Sequence, residues 1–290
     1  MVASRREFLV RSAACLAPAL ALSRMGWGQA APPRIRLSAC DWSLQAYGPG
    51  GLVIAKNVGL DGLEISAGDP ADTLAIADPA LREQYKVQAQ ATGVIVSSIA
   101  MGLLNDAPLA SDPRGPAWLE QTIDAAADLG AKVILLAFFG RGDLLEGKEL
   151  KRDALDAVVQ RLKDAAPRAR EKGVILGIEN YLSAKDNLMV LDRVGHDSVR
   201  VYYDVRNSTD KDYDVPAEIR ELGGRICQIH FKDGPHYLGE GEVAMEPVAA
   251  AMADIGYKGW VVLETSIPSK DRDADFTRNA TYARKLLGLA

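Results

Sequence analysis

From residue 34 onward one pattern recurs eight times: a short run rich in β-branched residues ends in polar residues, and an alanine- and leucine-rich stretch of helical period follows. The runs are RIRLSAC (34–40), GLEIS (62–66), VIVSSIAM (94–101), KVILLAFF (132–139), VILGIEN (174–180), VRVYYDV (199–205), ICQIHFKD (226–233) and WVVLETS (260–266). Helical stretches between them include Trp118–Leu129, Leu150–Lys172 and Val248–Ile255. Gly59, Gly93, Gly130, Gly173 and Gly256 fall where a helix must give way to the next strand. A helical crossover returns the chain to the same end of the sheet, so neighbouring strands are parallel. Eight such units with no interior linker predict a single closed (β/α)8 TIM barrel over residues 31–290, close to the roughly 250 residues typical of that fold.

The first thirty residues are of another kind. Arg5 and Arg6 precede Phe8 and Leu9, a modest apolar run covers Cys15 to Leu22, and Gly28-Gln29-Ala30 suits cleavage before Ala31. The run is too short to span a bilayer. The order of charged, apolar and small residues predicts a signal peptide over 1–30. Its Ser-Arg-Arg-x-Phe-Leu core resembles the twin-arginine export signal, which implies the twin-arginine machinery as a partner and a periplasmic or otherwise exported mature chain. Cys15 lacks the usual leucine three residues upstream, so no stable lipid or membrane anchor is expected.

The formal charge is −5 and no basic stripe is visible, which excludes the phosphate-driven attraction of nucleic-acid binders. Beyond the leader only Cys40 and Cys227 remain. They make no disulfide framework and no cysteine metal motif, and whether they pair with each other is left open. Oligomeric state is equally open.

In barrels of this kind chemistry sits where strands end and the following loops begin. The ends of the last four strands carry Glu179, Asp204, His230 and Glu264, at gaps of 25, 26 and 34 residues, about one strand–helix unit each. Side chains alternate along a strand. Glu179 therefore shares a face with Gly177 and Ile175, and His230 with Gln228 and Lys232. Cys227, Ile229 and Phe231 are expected on the opposite face, toward the helices. Three carboxylates converging on one imidazole in a low-dielectric interior need compensation. A divalent cation supplies it, and this oxygen-rich set favours Mn²⁺ or Mg²⁺, with Co²⁺ or Zn²⁺ also compatible. The other reading is a hydrogen-bonded network of acids at the barrel rim.

The segments IENYLS, YYDVRN, QIHFKDG, LGEGEV and GYKGWVVLET, with GLDGLEIS and ASDPRGPAWLEQTIDAAADLGAKVI upstream, resemble in order the signatures of the xylose-isomerase-like sugar isomerase/epimerase group. The resemblance runs over nearly all of residues 34–288. It implies that Glu179, Asp204, His230 and Glu264 bind one divalent metal ion, and that Glu179 and Glu264 also act as acid and base. It implies for Glu64, at the end of the second strand, a contact with substrate hydroxyls; a capping or rim salt-bridge role is the alternative. Ketose 3-epimerases usually place a histidine where this chain has Asn207. They also tend to carry an arginine in the loop where it has GPHYLGEG, with His236 either filling part of that role or lying on the surface. Lys232 is read as holding a substrate oxygen or pairing with Asp233.

A metal beside a carbonyl stabilises the charge that develops when the neighbouring proton is removed, and carboxylates on opposite faces can remove and return it. The first reading is an isomerase or epimerase of a keto sugar. The second is an exported lyase that eliminates a group from a 3-keto-glycoside at the same site. A phosphodiesterase related to DNA-repair barrels would call for a histidine-rich zinc site, and this chain has three histidines in all. A sugar-binding protein without catalysis would not need both candidate acid/base glutamates.

Overall fold

The computed structural model describes residues 35–289, so the expected leader at 1–30 lies outside the described residues. Eight parallel strands close into a barrel: β1 (Arg36–Cys40), β2 (Gly62–Ser66), β3 (Ile95–Met101), β4 (Val133–Ala137), β5 (Ile175–Glu179), β6 (Val199–Asp204), β7 (Ile226–Phe231) and β8 (Trp260–Leu263). Each pairs with its sequence neighbours, and β8 closes the ring by pairing Trp260 with Arg36 of β1. Among the described residues the helices of seven or more residues that surround it are α1 (Gly51–Asn57), α2 (Pro79–Thr92), α3 (Gly115–Leu129), α4 (Arg152–Lys172), α5 (Ala184–Val194), α6 (Val215–Leu222), α7 (Met245–Asp254) and α8 (Arg272–Leu286). The five glycines expected to stop helices all have positive φ, from 62° to 82°, where a Cβ would be strained. The helical turn Val205–Thr209 and a small hairpin (Leu145–Glu146 with Glu149–Leu150) were not expected from periodicity.

The strand alternation builds two cores. Leu63, Ile99, Ile134, Leu176, Ile229 and Val261 face outward and pack under the helices. Cys40, Ala100, Leu135, Tyr202 and Val262 fill the barrel interior. Burying this much aliphatic surface, at about 25 cal/mol per Å², is what closes the ring. Gly177 is required by that interior. A Cβ there would lie 2.9 Å from Cys227 Sγ and 3.1 Å from Tyr202 Cβ.

Cys227 departs from the expected parity. The register of β6 on β7 steps from Val201↔Ile226 to Tyr202↔Gln228, leaving one extra residue, Cys227, in a bulge. The bulge turns its side chain against the interior cluster, where Sγ donates to the Val201 carbonyl at 3.2 Å. Cys40 and Cys227 are both free thiols.

Candidate active site

The polar residues that end β5 to β8 meet at one height above the interior core. Glu179 and Asp204 are the last residues of their strands, His230 is next to last in β7, and Glu264 directly follows β8. Asp204 pairs in register with His230 across β6 and β7. His230 is fully buried, while Glu179 and Asp204 are nearly so. Its Nδ1 lies 2.9 Å from Glu179 Oε1, 3.5 Å from Glu264 Oε2 and 3.7 Å from Asp204 Oδ2. One ligand atom from each of the four lies within 4.8 Å of every other, so the group can hold a metal ion.

Each carboxylate is held differently. Asp204 Oδ1 caps the turn Val205–Thr209 by accepting from the backbone N–H groups of Arg206 and Asn207, both at 2.8 Å. Its Oδ2 is buried and has no hydrogen-bond partner among the described residues. A buried carboxylate oxygen left bare is costly, and a cation among these four groups would satisfy it. Glu264 accepts from Trp42 Nε1 at 3.2 Å and from Lys232 Nζ at 3.0 Å. Burial raises its pKa above the usual carboxylate value, against the opposing charges of His230 and Lys232. Burial likewise lifts Glu179 to about 7, with the His230 charge pulling the other way. Burial also acts upward on Asp204, but the His230 contact and the Lys232 charge outweigh it and leave its pKa low. Two glutamates raised and one aspartate depressed give a site that can exchange protons near neutral pH.

Beneath the four lies a second layer. His230 Nε2 is 2.9 Å from Glu64 Oε1, and Glu64 Oε2 accepts from Ser98 Oγ at 2.6 Å and Tyr202 OH at 2.7 Å. Gln228 Nε2 donates in turn to Ser98 Oγ and Tyr202 OH. Burial pushes the Glu64 carboxyl up, but His230 and these hydroxyl bonds bring it below its ordinary value, so it stays ionised. Cys40 Sγ is 3.5 Å from both Glu64 Oε1 and His230 Nε2. Burial pushes this thiol well up, which keeps it protonated and inert.

A cavity of about 650 Å³ opens above the site, lined on this side by Glu179, Asn207, Lys232 and Glu264. Two expected substrate contacts are absent from its wall. Glu64 is 0% exposed and all its oxygens are taken beneath His230, so it cannot reach a hydroxyl in the cavity. His236 is exposed on the loop after β7 and does not line the cavity. That loop is organised by Asp233, whose carboxylate accepts from the backbone N–H groups of Gly239, Gly241 and Val243. Lys232 is therefore free of Asp233 and turns to Glu264.

A sequence model of the xylose isomerase-like TIM barrel matches residues 52–286. The chain belongs to that family. Among curated proteins, the 2-epi-5-epi-valiolone 7-phosphate 2-epimerase of Actinoplanes sp. is 28% identical over 204 residues, covering 69% of this chain and 73% of its own. Among solved structures, an L-ribulose 3-epimerase aligns with a TM-score of 0.72 at 22% identity, covering 88% of this chain and 95% of its own. A 3-keto-D-glucoside 4-epimerase from E. coli has a TM-score of 0.72 at 16% identity, covering 87% and 100%. These structural likenesses establish the fold.

Within this xylose isomerase-like barrel, sequence reasoning passed over Trp42, which follows β1 and reaches Glu264. An aromatic residue at the C-terminal end of a barrel strand was the available signal. Tyr202 shares the parity of Asp204 on β6 and could have been found the same way.

Proposed function

We propose that the protein is a divalent-metal-dependent isomerase or epimerase of a keto sugar, exported in mature form. The bare, buried Asp204 Oδ2 within reach of Glu179, His230 and Glu264 carries this reading. The sugar-epimerase activities of its relatives support it. Glu179, Asp204, His230 and Glu264 would hold one ion, with Mn²⁺ or Mg²⁺ suiting the oxygen-rich set before Co²⁺ or Zn²⁺. When bound, such an ion supplies Lewis acidity at a substrate carbonyl. The protein's own groups do the rest. Glu179 and Glu264 both face the cavity from strands separated by β6 and β7, and each can take or return the proton on the carbon beside the carbonyl. Lys232 and Asn207 line the same wall, and in this reading they hold substrate oxygens.

Exhaustive chelation should abolish turnover of a keto-sugar substrate, and adding back Mn²⁺ should restore it. In D₂O the active enzyme should incorporate deuterium at the carbon beside the carbonyl. Elimination of an alcohol or aglycone with formation of an unsaturated keto sugar would make it a lyase at the same site. Full activity in metal-free protein, or a requirement for a redox cofactor, would end the proposal.

Export is proposed from Arg5 and Arg6 with the short apolar run behind them. Mature protein recovered outside the cytoplasm should begin near Ala31. Arg5→Lys with Arg6→Lys should strand full-length precursor in the cytoplasm. Undiminished export of that double variant would rule out the twin-arginine route.

A further inference from the structure

The cavity and the ligand cluster do not coincide. The four candidate ligands sit on β5 to β8, yet most of the cavity wall comes from the loops after β1 to β4, including Tyr47, Asp69, Asp106 and Phe139. The volume of about 650 Å³ also exceeds what one sugar ring needs. A six-carbon sugar has roughly twelve non-hydrogen atoms, whereas this space equals about twenty waters at ~30 Å³ each. A substrate centred on the cluster therefore leaves the β1–β4 side unfilled.

That side is aromatic and acidic. Phe139, after β4, meets Tyr181, on the bordering loop after β5, edge to face with ring centroids 4.8 Å apart. Lys211 Nζ lies 4.3 Å from the Tyr181 ring centroid, which holds that ring in place. Tyr47 stands 66% exposed at the mouth, a large ring left in solvent, whereas the other aromatic rings among the described residues are buried or half-buried. Rigid aromatic faces suit the C–H face of a sugar ring or a flat aglycone. Among the described residues that line the cavity, Lys232 is the only basic one, and it is bound to Glu264. Asp69 and Asp106 join Glu179 and Glu264 in the wall, so the cavity stays net negative even with a divalent ion in place. A phosphate group would meet no free cation and several carboxylates.

We infer that the cavity on the β1–β4 side is a second subsite, and that the substrate is an uncharged glycoside: a keto-sugar ring at the ligand cluster, and a second ring or aglycone against Tyr47, Phe139 and Tyr181. This inference rests on the keto-sugar reading above and narrows it.

Calorimetric titration of the Mn²⁺-loaded full chain tests it with four probes: D-fructose, D-fructose 6-phosphate, cellobiose and phenyl β-D-glucoside. Cellobiose and the phenyl glucoside should bind at least tenfold more tightly than D-fructose, and the phosphate should bind more weakly than D-fructose. Tyr47→Ala, on the exposed rim, and Phe139→Ala should each remove most of that advantage, with D-fructose affinity falling less than threefold and metal content unchanged. Tyr47 guards against a Phe139→Ala chain that fails to fold. Tight binding of the phosphate, or glycosides held no better than D-fructose, would overturn the subsite and leave the keto-sugar reading standing. Metal-loaded protein that binds none of the four would overturn both.

Discussion

Glu179→Gln and Glu264→Gln should each lower turnover of the keto-sugar substrate by about 10²–10⁴-fold, the range for loss of a positioned acid or base. Glutamine keeps the size of the side chain and one acceptor oxygen but cannot take up a proton. Each residue is also a candidate metal ligand, so turnover must be read at saturating Mn²⁺ with metal content measured alongside. The two variants should then separate by solvent exchange. Where one carboxylate serves each face of the substrate, removing one stops epimerisation but leaves the other able to exchange the proton it faces. Glu179→Gln and Glu264→Gln should therefore each retain deuterium incorporation from only one of the two epimers, and from opposite ones. Loss of exchange with both epimers in both variants would point to a single proton-transferring residue. Burial raises both carboxyls, Glu179 to about 7, which favours uptake of a proton by each.

The barrel and the four candidate ligands were legible because they depend on local periodicity. Strand–helix alternation fixes the order of strands, and period-two parity fixes which side of each strand faces inward. Glu179, Asp204, His230 and Glu264 are spaced by that alternation, and the structure brings their ligand atoms together. What parity cannot show is a change in parity. Cys227 was assigned to the helix face, but the bulge between Val201 and Tyr202 in the β6–β7 register turns it inward. Nor does periodicity reveal how deep a strand end lies. Glu64 sits in the middle of β2 rather than at its end, in register with Cys40 and Ser98, below the level at which His230 meets the other acids. The contact between Glu64 and His230 joins residues 166 apart in sequence and crosses the barrel interior. The surface position of His236, one of the two readings open for it, was not decided by the sequence for a third reason. Its loop is shaped by Asp233 gathering three backbone N–H groups, an arrangement with no periodic signature.

Glu64→Gln should weaken metal binding by about 10–100-fold, the usual effect of losing the partner behind a ligating histidine, while the barrel keeps its fold. A histidine can offer one ring nitrogen to a cation only if the proton resides on the other. Glu64 is ionised, fully buried and 2.9 Å from Nε2, so with an ion bound it would hold that proton on Nε2 while Nδ1 faces Glu179, Asp204 and Glu264. Glutamine cannot reproduce both of its edges. If its oxygen accepts from His230, its amide group must face Ser98 and Tyr202, whose hydroxyls now donate to Glu64 and already accept from Gln228. If it turns the other way, it presents a donor to Nε2 and forces the His230 proton onto Nδ1, where the ion must bind. Either orientation loosens the imidazole. Glu64→Ala should do more, because it leaves His230, Ser98 and Tyr202 without their buried acceptor. Breaking one side of such a buried pair costs about 3–5 kcal/mol, readable as a lowered denaturant midpoint. A positioning role also requires that Glu64→Gln recover most of its turnover at saturating Mn²⁺, since Glu64 does not line the cavity. Unchanged metal affinity in Glu64→Gln, measured by competition with a chelating dye, would show that the contact beneath His230 only packs the barrel.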